Sequence, residues 1–514
     1  MDNFQKERKS ILRVQSKLCD RQTVTELSTD FTLPDYQPEI KRLLRVRATV
    51  SPPDKYVGAG NVELSGRIDY ALLYAGNDGA LYCATESSDY QFSVPVELSS
   101  SIDLNDGLIC DVSIRTDSVT GRVAAPRKLS VKCRLRSEVR LWGTLVLEES
   151  VCGAEEQSVE RLCGSADVAG VFVGVGEAMQ LGDEILYDSA VGDLRVISAE
   201  GQVFVTEAMT GSGTVSCRGE IALKLLCTEE NASTPPNVLW RRIPFSQSVP
   251  TDGAEVNCDA CAHGVCTQLA ITVEENRILC EVTLQLYTHA QRNQSVTFTK
   301  DLYSTQAECE SHYETCVLPR ALKCINGNFS LNTTLPLEQV GIRPDAKIAD
   351  LSLLPSVTSL ENEHGKYYLS GHCRASLILF DGEDYTVQEF EVPFRYETDA
   401  PAEEVCEFDA VADVISCRAR IDGERIGVDA ELAVCLSTRG EYRLQTLTEA
   451  RFTALPAHTG AHFTVCYPSR EDTLWSVAKR YHRSVSVIAE QNELAGAPAA
   501  DARESLAGVT YLLV

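Results

Sequence analysis

The chain of 514 residues has 47 lysine and arginine residues against 74 aspartate and glutamate residues, a formal net charge of −27. This charge argues against nucleic acid or an anionic membrane as a direct ligand, because both would repel the protein. It is compatible with a basic partner surface and equally with simple solubility. The hydrophobic content of 44% excludes wholesale disorder, and the length predicts several domains that each bury a core.

The N-terminal segment has charges but no apolar run of the length found in signal peptides. No run of about eighteen apolar residues occurs anywhere, so we expect no membrane span and a location in the cytoplasm. The 20 cysteines would indicate a disulfide framework in a secreted protein. Without a secretion signal we expect most of them to be reduced thiols.

The stretch before the first repeated element, residues 31–46, reads FTLPDYQPEIKRLLRV. Pro38 at a first turn, followed by Ile40, Leu43 and Leu44, predicts a short helix. The P-D-x-x-P-E-I pattern resembles the SPOCS domain, a β-rich module of proteins from spore-forming Firmicutes. The pattern is missing from the two later copies of the repeat.

An internal repeat then dominates the chain. The segment 62–74 returns at 215–227 and 367–379, and the central residues Gly66, Gly219 and Gly371 are separated by 153 and 152 residues. Each copy continues with a proline-containing strand, which indicates a sheet edge or the start of a strand, and then with a long strand of alternating polarity. We predict three β-sandwich-like domains, at residues 1–150, 165–300 and 325–453, with linkers near 148–166 and 312–328.

Cysteines occupy positions that are aliphatic in the sister copies, which is the behaviour of a small buried hydrophobe. The correspondences are Cys217 with Leu64 and Leu369, Cys373 with Ile68 and Ile221, and Cys280 with Val131 and Val428.

One short segment, residues 258–266, holds Cys258, Cys261, His263 and Cys266. Thiolates and an imidazole are zinc ligands by type, but a single CxxC without a second pair favours an ordinary loop between two strands. We therefore expect no metal.

The C-terminal segment 462–514 predicts a small α+β module in the order strand, helix, helix, strand. After a turn at 468–470, Asp472 and Thr473 can cap a first helix, and a second helix follows from Val485. This segment resembles the LysM domain through F-x-V, D-T-L-W-S-V-A, Y, V-S-x-I, N-x-L and a closing apolar strand. Glu471 replaces the usual glycine and the long segment 495–508 replaces a short turn, so we expect the family's N-acetylglucosamine groove to be altered.

Three SPOCS-like units followed by one LysM-like module resemble the SipL-like spore-coat morphogenetic proteins of clostridia. The resemblance implies a scaffold in the mother-cell cytoplasm at the forespore surface, whose LysM module engages the coat ATPase SpoIVA. The expected partner-binding residues surround the loop openings of the module: Arg470, Glu471, Asp472, Thr473, Trp475 and Asn492. For Trp475, packing in the core or rim of the module is the favoured interpretation, with stacking on a sugar or partner as the other.

Motifs for phosphate binding, a serine nucleophile, a zinc protease or an EF-hand do not occur in the sequence. We therefore predict a non-enzymatic protein without a cofactor. Two other hypotheses stay open: a peptidoglycan-binding protein that recognises N-acetylglucosamine polymers, and an enzyme whose site is assembled from distant residues.

Overall fold

The computed structural model describes residues 9–58, 60–97, 102–103, 107–150, 158–187, 194–229, 235–399, 404–455, 464–494, 501, 506 and 508–514. Three successive units of antiparallel sheet are followed by a small module with two helices. The predicted class is confirmed: mainly β, with repeated sandwich-like units and a terminal module of βααβ order.

Unit one (residues 9–150) contains eight strands: β1 (Lys9–Thr32), β2 (Ile40–Val50), β3 (Asp54–Val57), β4 (Asn61–Gly76), β5 (Leu81–Pro95), β6 (Ile102–Asp103), β7 (Ile109–Ala125) and β8 (Lys128–Ser150). In one sheet the long strand β8 lies between β1 and the pair β6 and β7. In the other sheet β4 lies between β5 and the pair β2 and β3. Apolar residues of both sheets form the core between them.

Unit two (residues 159–304) contains β9 (Val159–Val175), β10 (Met179–Leu186), β11 (Leu194–Thr210), β12 (Thr214–Glu229), β13 (Asn237–Pro250), β14 (Asp259–Glu274) and β15 (Arg277–Ser304). Strand β15 pairs with β9, β10 and β14, while β12 lies between β11 and β13. The two sheets enclose one core.

Unit three (residues 307–454) contains β16 (Ala307–Pro336), the one-turn helix α1 (Leu337–Val340), β17 (Lys347–Glu363), β18 (Lys366–Phe380), β19 (Tyr385–Thr398), β20 (Glu407–Asp422) and β21 (Arg425–Ala454). Strand β21 lies between β16 and β20, and β18 lies between β17 and β19. The topology is therefore that of units one and two. The equivalent strands β7, β14 and β20 even share a bulge, at Asp117, Thr267 and Ile415.

The repeat glycines lie in the central strands β4, β12 and β18, each opposite an aromatic residue of the edge strand: Gly66 opposite Tyr90, Gly219 opposite Phe245 and Gly371 opposite Phe394. A Cβ atom placed on these glycines would come within 2.7, 2.8 and 2.5 Å of the respective rings. A ring covering a glycine in this way explains why the period of the sequence is marked by glycine.

Nineteen described cysteines are free thiols. Cys217, Cys280 and Cys373 are at most 1% exposed, as are their aliphatic counterparts in the other units. These thiols therefore pack as small hydrophobes, as the sequence comparison predicted.

Two local predictions are wrong. The segment from Ile40, predicted as a short helix, is strand β2, and its register shifts twice, between Ile40 and Arg42 and between Leu43 and Arg45. Each shift breaks the alternation of faces, so apolar residues recur at helix-like spacing. The segment 312–328, predicted as a linker, lies within β16.

The three units pack around a common axis, and every pair of units is in contact. The side chain of Gln15 in unit one donates to the Val171 carbonyl of unit two (3.0 Å), and Asn326 in unit three donates to the Ala262 carbonyl of unit two (2.7 Å). Arg115 in unit one donates to the Ala410 carbonyl of unit three (3.2 Å).

Equivalent residues of the three units meet at this axis. Leu73, Leu226 and Ile378, each seven positions after its repeat glycine, belong to one buried cluster. Val14, Val168 and Leu318 belong to another. Because both clusters draw on all three units, the arrangement is a closed pseudo-threefold ring and not an open string of domains.

A buried charge network also joins the units. Asp350 of unit three forms ion pairs with Arg45 of unit one (2.5 Å) and with Lys224 of unit two (2.6 Å). Arg47 of unit one forms an ion pair with Glu200 of unit two. Each carboxylate at this junction therefore has a cation from a neighbouring unit, which is the condition for keeping buried charge.

The tail module (residues 464–514) contains β22 (Val465–Cys466), α2 (Leu474–Arg480), α3 (Val485–Gln491) and β23 (Leu512–Leu513), and β22 pairs with β23. Cys466 and Leu512 of this sheet pack against the helices in a small core. In the described part of the chain, no helix combines the length and the apolar character that a membrane crossing would require.

Candidate partner-binding site

The turn before α2 is built by two of the six predicted partner-binding residues. Thr473 is the N-cap: its hydroxyl accepts from the Ser476 amide (3.1 Å), and the Ser476 hydroxyl accepts from the Thr473 amide (2.9 Å). Asp472 is buried, accepts from the Ser469 amide (2.8 Å) and pairs with Arg480. The Ser469 amide and Arg480 hold the pKa of Asp472 below its usual value. Asp472, expected to cap α2 and to contact a partner, is therefore held in the turn before α2 by these two groups.

Asn492 closes the other side of the module. Its side-chain amide donates to the carbonyls of Ile488 and Leu513 (both 2.8 Å) and its oxygen accepts from the Leu513 amide (2.8 Å). These bonds tie the end of α3 to β23. Of the predicted set, only Arg470 and Glu471 are exposed.

Trp475 lies at the contact between the tail module and unit two. It is 7% exposed, and its indole ring meets the edge of Tyr303 with the ring centres 4.9 Å apart. Its Nε1 donates to Oδ2 of Asp301 (2.8 Å). Trp475 is therefore packed against neighbouring residues, in line with the favoured interpretation, and its ring is not exposed for stacking.

Asp301 is the centre of this contact. Lys479 donates to both of its carboxylate oxygens (2.7 and 2.9 Å), and Tyr313 donates to Oδ1 (2.9 Å). Burial raises the pKa of Asp301, but the hydrogen bonds from Lys479, Trp475 and Tyr313 outweigh it, so the pKa lies below the usual value. An ionised carboxylate that accepts four hydrogen bonds from three side chains is a strong local anchor.

Two further bonds fix the turn after α2 on the end of β15. The Tyr303 hydroxyl donates to the Arg483 carbonyl (2.7 Å), and the His482 Nδ1 lies 2.8 Å from the Ser304 carbonyl oxygen. The α2 side of the tail module is therefore covered by the body of the protein.

The outward face of the small β22–β23 sheet carries an apolar surface that the sequence interpretation missed. Val465 pairs with Leu513, and Tyr467 and Tyr511 continue the same face beyond them. Their exposed fractions are 47%, 37%, 74% and 57%, respectively. We call these four residues the sheet-face patch. In the sequence this patch could be detected only from the alternation of its residues with Cys466 and Leu512, which point inward. Strands of two residues are too short for such alternation to identify a strand.

The cysteine-rich segment 258–266 is mostly the start of strand β14 and not a loop. Cys261 is buried and contacts the thiols of Cys324 and Cys435. The hydrogen bond with Cys324 and burial raise the pKa of Cys261 well above its usual value, against the opposing effect of the hydrogen bond with Cys435. His263 stacks on Tyr287 with the ring centres 5.1 Å apart. Within the described ranges, no three His, Cys, Asp or Glu side chains are arranged to hold a metal ion.

Comparison of the chain with protein-family models, with curated proteins and with solved structures gives no match.

Proposed function

We propose that this protein is a non-enzymatic scaffold of spore-coat assembly that docks the coat ATPase SpoIVA through its tail module. In this proposal it acts in the mother-cell cytoplasm at the forespore surface. The three-unit ring serves as a rigid body, and the tail module carries the contact surface.

The observation that carries the proposal is the orientation of the tail module. One side is anchored on Asp301 and Tyr303 of unit two, while the sheet-face patch remains exposed. A contiguous apolar surface rich in tyrosine is the composition of a protein-binding hot spot. We therefore assign the partner contact to this patch, with Arg470 and Glu471 at its rim.

The test is a binding titration of purified full-length protein with the purified coat ATPase. Removal of residues 464–514 should abolish binding. The double variant Tyr467→Ser, Tyr511→Ser should weaken it about tenfold or more, because buried tyrosines dominate such interfaces. Tyr36→Ser is the matched control, since Tyr36 is 84% exposed on unit one and lies outside the tail module. Equal affinity of the full-length and truncated proteins would refute the docking role.

Peptidoglycan binding makes a different prediction. Trp475 would have to stack on a sugar, yet its ring is covered by Tyr303 and its Nε1 is bonded to Asp301. Saturable retention of the protein on purified sacculi would favour peptidoglycan over the protein partner.

A further inference from the structure

A cavity of about 300 Å³ lies where the three units meet. Its wall is formed by equivalent cross-strand pairs, one from each unit: Asp111 with Arg140, Cys261 with His289, and Asp409 with Ser437. The next pairs along the same strands, Ser113 with Glu138, His263 with Tyr287 and Val411 with Cys435, also line it. The cavity is thus built from all three units.

This polar wall contrasts with the rest of the axis. At the clusters around Leu226 and Val168, equivalent positions carry aliphatic residues that fill the space between the units. Protein interiors pack without voids of this size, and a polar cavity holds water or a ligand. If the residues along the axis served only to hold the units together, we would expect aliphatic side chains to fill the axis along its whole length.

The cations of the wall already make hydrogen bonds or ion pairs, although the buried Nε of Arg140 has no hydrogen-bond partner among the described residues. Lys55 donates to the Cys110 carbonyl, Arg115 to the Ala410 carbonyl, and Arg140 lies between Glu138 (3.0 Å) and Asp409. An incoming anion would therefore have to displace an existing bond or reach the buried Nε of Arg140. Its binding here is disfavoured.

The acceptors of the wall are less fully used. Four carboxylates, those of Asp54, Asp111, Glu138 and Asp409, line the cavity with three cations, and a fourth cation, Arg439, pairs with Asp409 from behind the wall. The carboxylate of Asp111 is 3.8 Å from Arg140, which is beyond hydrogen-bond distance. The hydroxyl of Tyr287 is buried and has no hydrogen-bond partner among the described residues.

The imidazole of His289 adds no positive charge at neutral pH. Burial lowers its pKa, and the neighbouring Arg439 lowers it further, against the opposing effects of Asp111 and Asp409. The neutral ring is positioned by its Nε2, which lies 3.3 Å from Arg439. With Asp409 paired to Arg439 and Arg140, the carboxylate of Asp111 is the lining group that has a cation nearby but no hydrogen bond to it.

We propose that the axial cavity binds a small organic cation, a primary amine or diamine, whose N–H groups donate to Asp111, Glu138 and the Tyr287 hydroxyl. The stacked rings of His263 and Tyr287 add a surface over which a cation is attracted. The ligand enters past Asp54 and Val175, which are exposed at the mouth of the cavity.

The test is calorimetric titration of the full-length protein with 1,4-diaminobutane. We expect saturable binding with one site per chain that weakens as salt is added. 1,4-Butanediol, which has the same length without the charge, and succinate, its anionic counterpart, should give no saturable binding. Asp111→Asn and Glu138→Gln should each weaken diamine binding about tenfold or more, the effect of losing a charged acceptor. Glu63→Gln, at an exposed site on β4, is the matched control and should bind as the parent does.

A second variant covers the case in which a charge change disturbs folding. Val411→Phe fills the cavity without changing its charge, and it should abolish binding while the unfolding transition is kept. The proposal is overturned if the diamine shows no saturable binding, if Asp111→Asn and Val411→Phe bind it as the parent does, or if succinate binds equally well. Zinc or calcium that binds and excludes the diamine would likewise overturn it in favour of an inorganic cation.

Discussion

At the scale of single residues, the repeat glycines differ in what surrounds them. Beside Gly219 and Gly371, a Cβ atom would lie 2.1 and 2.3 Å from the carbonyl oxygens of Phe204 and Ser356. Beside Gly66 the three nearest atoms all belong to the side chain of Tyr90. A side chain can turn away, whereas the backbone of a packed sheet cannot move without disturbing its ladder.

We therefore expect Gly219→Ala and Gly371→Ala to lower the free energy of unfolding by about 1–3 kcal/mol each, the usual cost of overpacking, and Gly66→Ala to cost less. Urea titrations followed by circular dichroism measure this. Gly182→Ala in β10 is the control, because nothing lies within 4 Å of its added Cβ. Equal losses at all four sites would contradict the argument.

Much of this detail could be read from the sequence, since glycine recurs at fixed spacing and cysteines stand at positions that are aliphatic in the sister copies. The roles of Asp472 and Asn492 could not. Their side chains bond to backbone groups of Ser469 and Leu513, and a polar residue near a loop reads as exposed until those partners are placed.

At the scale of elements, the docking of α2 on β15 depends on the charge of Asp301. We predict that Asp301→Asn loosens the tail module, because Lys479 and Trp475 then lose an ionised acceptor, an interaction of about 1.5–3 kcal/mol. Amide hydrogen exchange of α2 and of residues 300–304 should accelerate. Glu308→Gln is the matched control: Glu308 is 65% exposed beside His482, and such pairs contribute little. Unchanged exchange in Asp301→Asn would show that apolar contacts alone hold the module.

The same contact has a defined pH dependence. Since the pKa of Asp301 is lowered in the docked protein, the stabilisation is complete above the ordinary value of 3.8 and is lost as the pH falls through the lowered value. Docking should therefore persist between about pH 5 and 8.

Strand β2 explains one failure of pattern reading at this scale. Its two register shifts place Ile40, Leu43 and Leu44 on spacings that are typical of a helix. The strands β12, β15 and β18, by contrast, alternate over most of their first halves and were predicted as strands.

At the scale of the whole molecule, closure of the ring depends on residues that differ between units. The position of Arg45 in unit one is Ser198 in unit two and Asp350 in unit three. Comparing the copies exposes such differences, but it does not reveal that the three positions come together. For this reason the sequence predicted three domains and not their closed arrangement.

The junction also sets an acid limit for the assembly. Burial raises the pKa of Glu200, but Arg47, Lys224 and Arg45 outweigh it and lower the pKa from 4.5 to about 2. The contribution of Glu200 to the free energy of unfolding is therefore present above about pH 4.5 and is lost as the pH falls toward 2.

We expect Glu200→Gln to destabilise the protein by up to about 3 kcal/mol at neutral pH, and the difference from the parent to shrink below pH 4.5. Denaturant titrations across this pH range measure the difference. Glu63→Gln, on the exposed face of β4, should follow the parent at every pH. A gap that stays constant down to about pH 2 would contradict the lowered pKa of Glu200.

Because the three sandwich units belong to one covalent chain, the sequence of each unit can change independently of the other two. In a homotrimer a single codon change would appear three times around the symmetry axis, so an arginine there would face two more arginines. Here Arg140, His289 and Ser437 occupy related places with three different chemistries. Tandem duplication thus allows an asymmetric chamber at the centre of a symmetric framework.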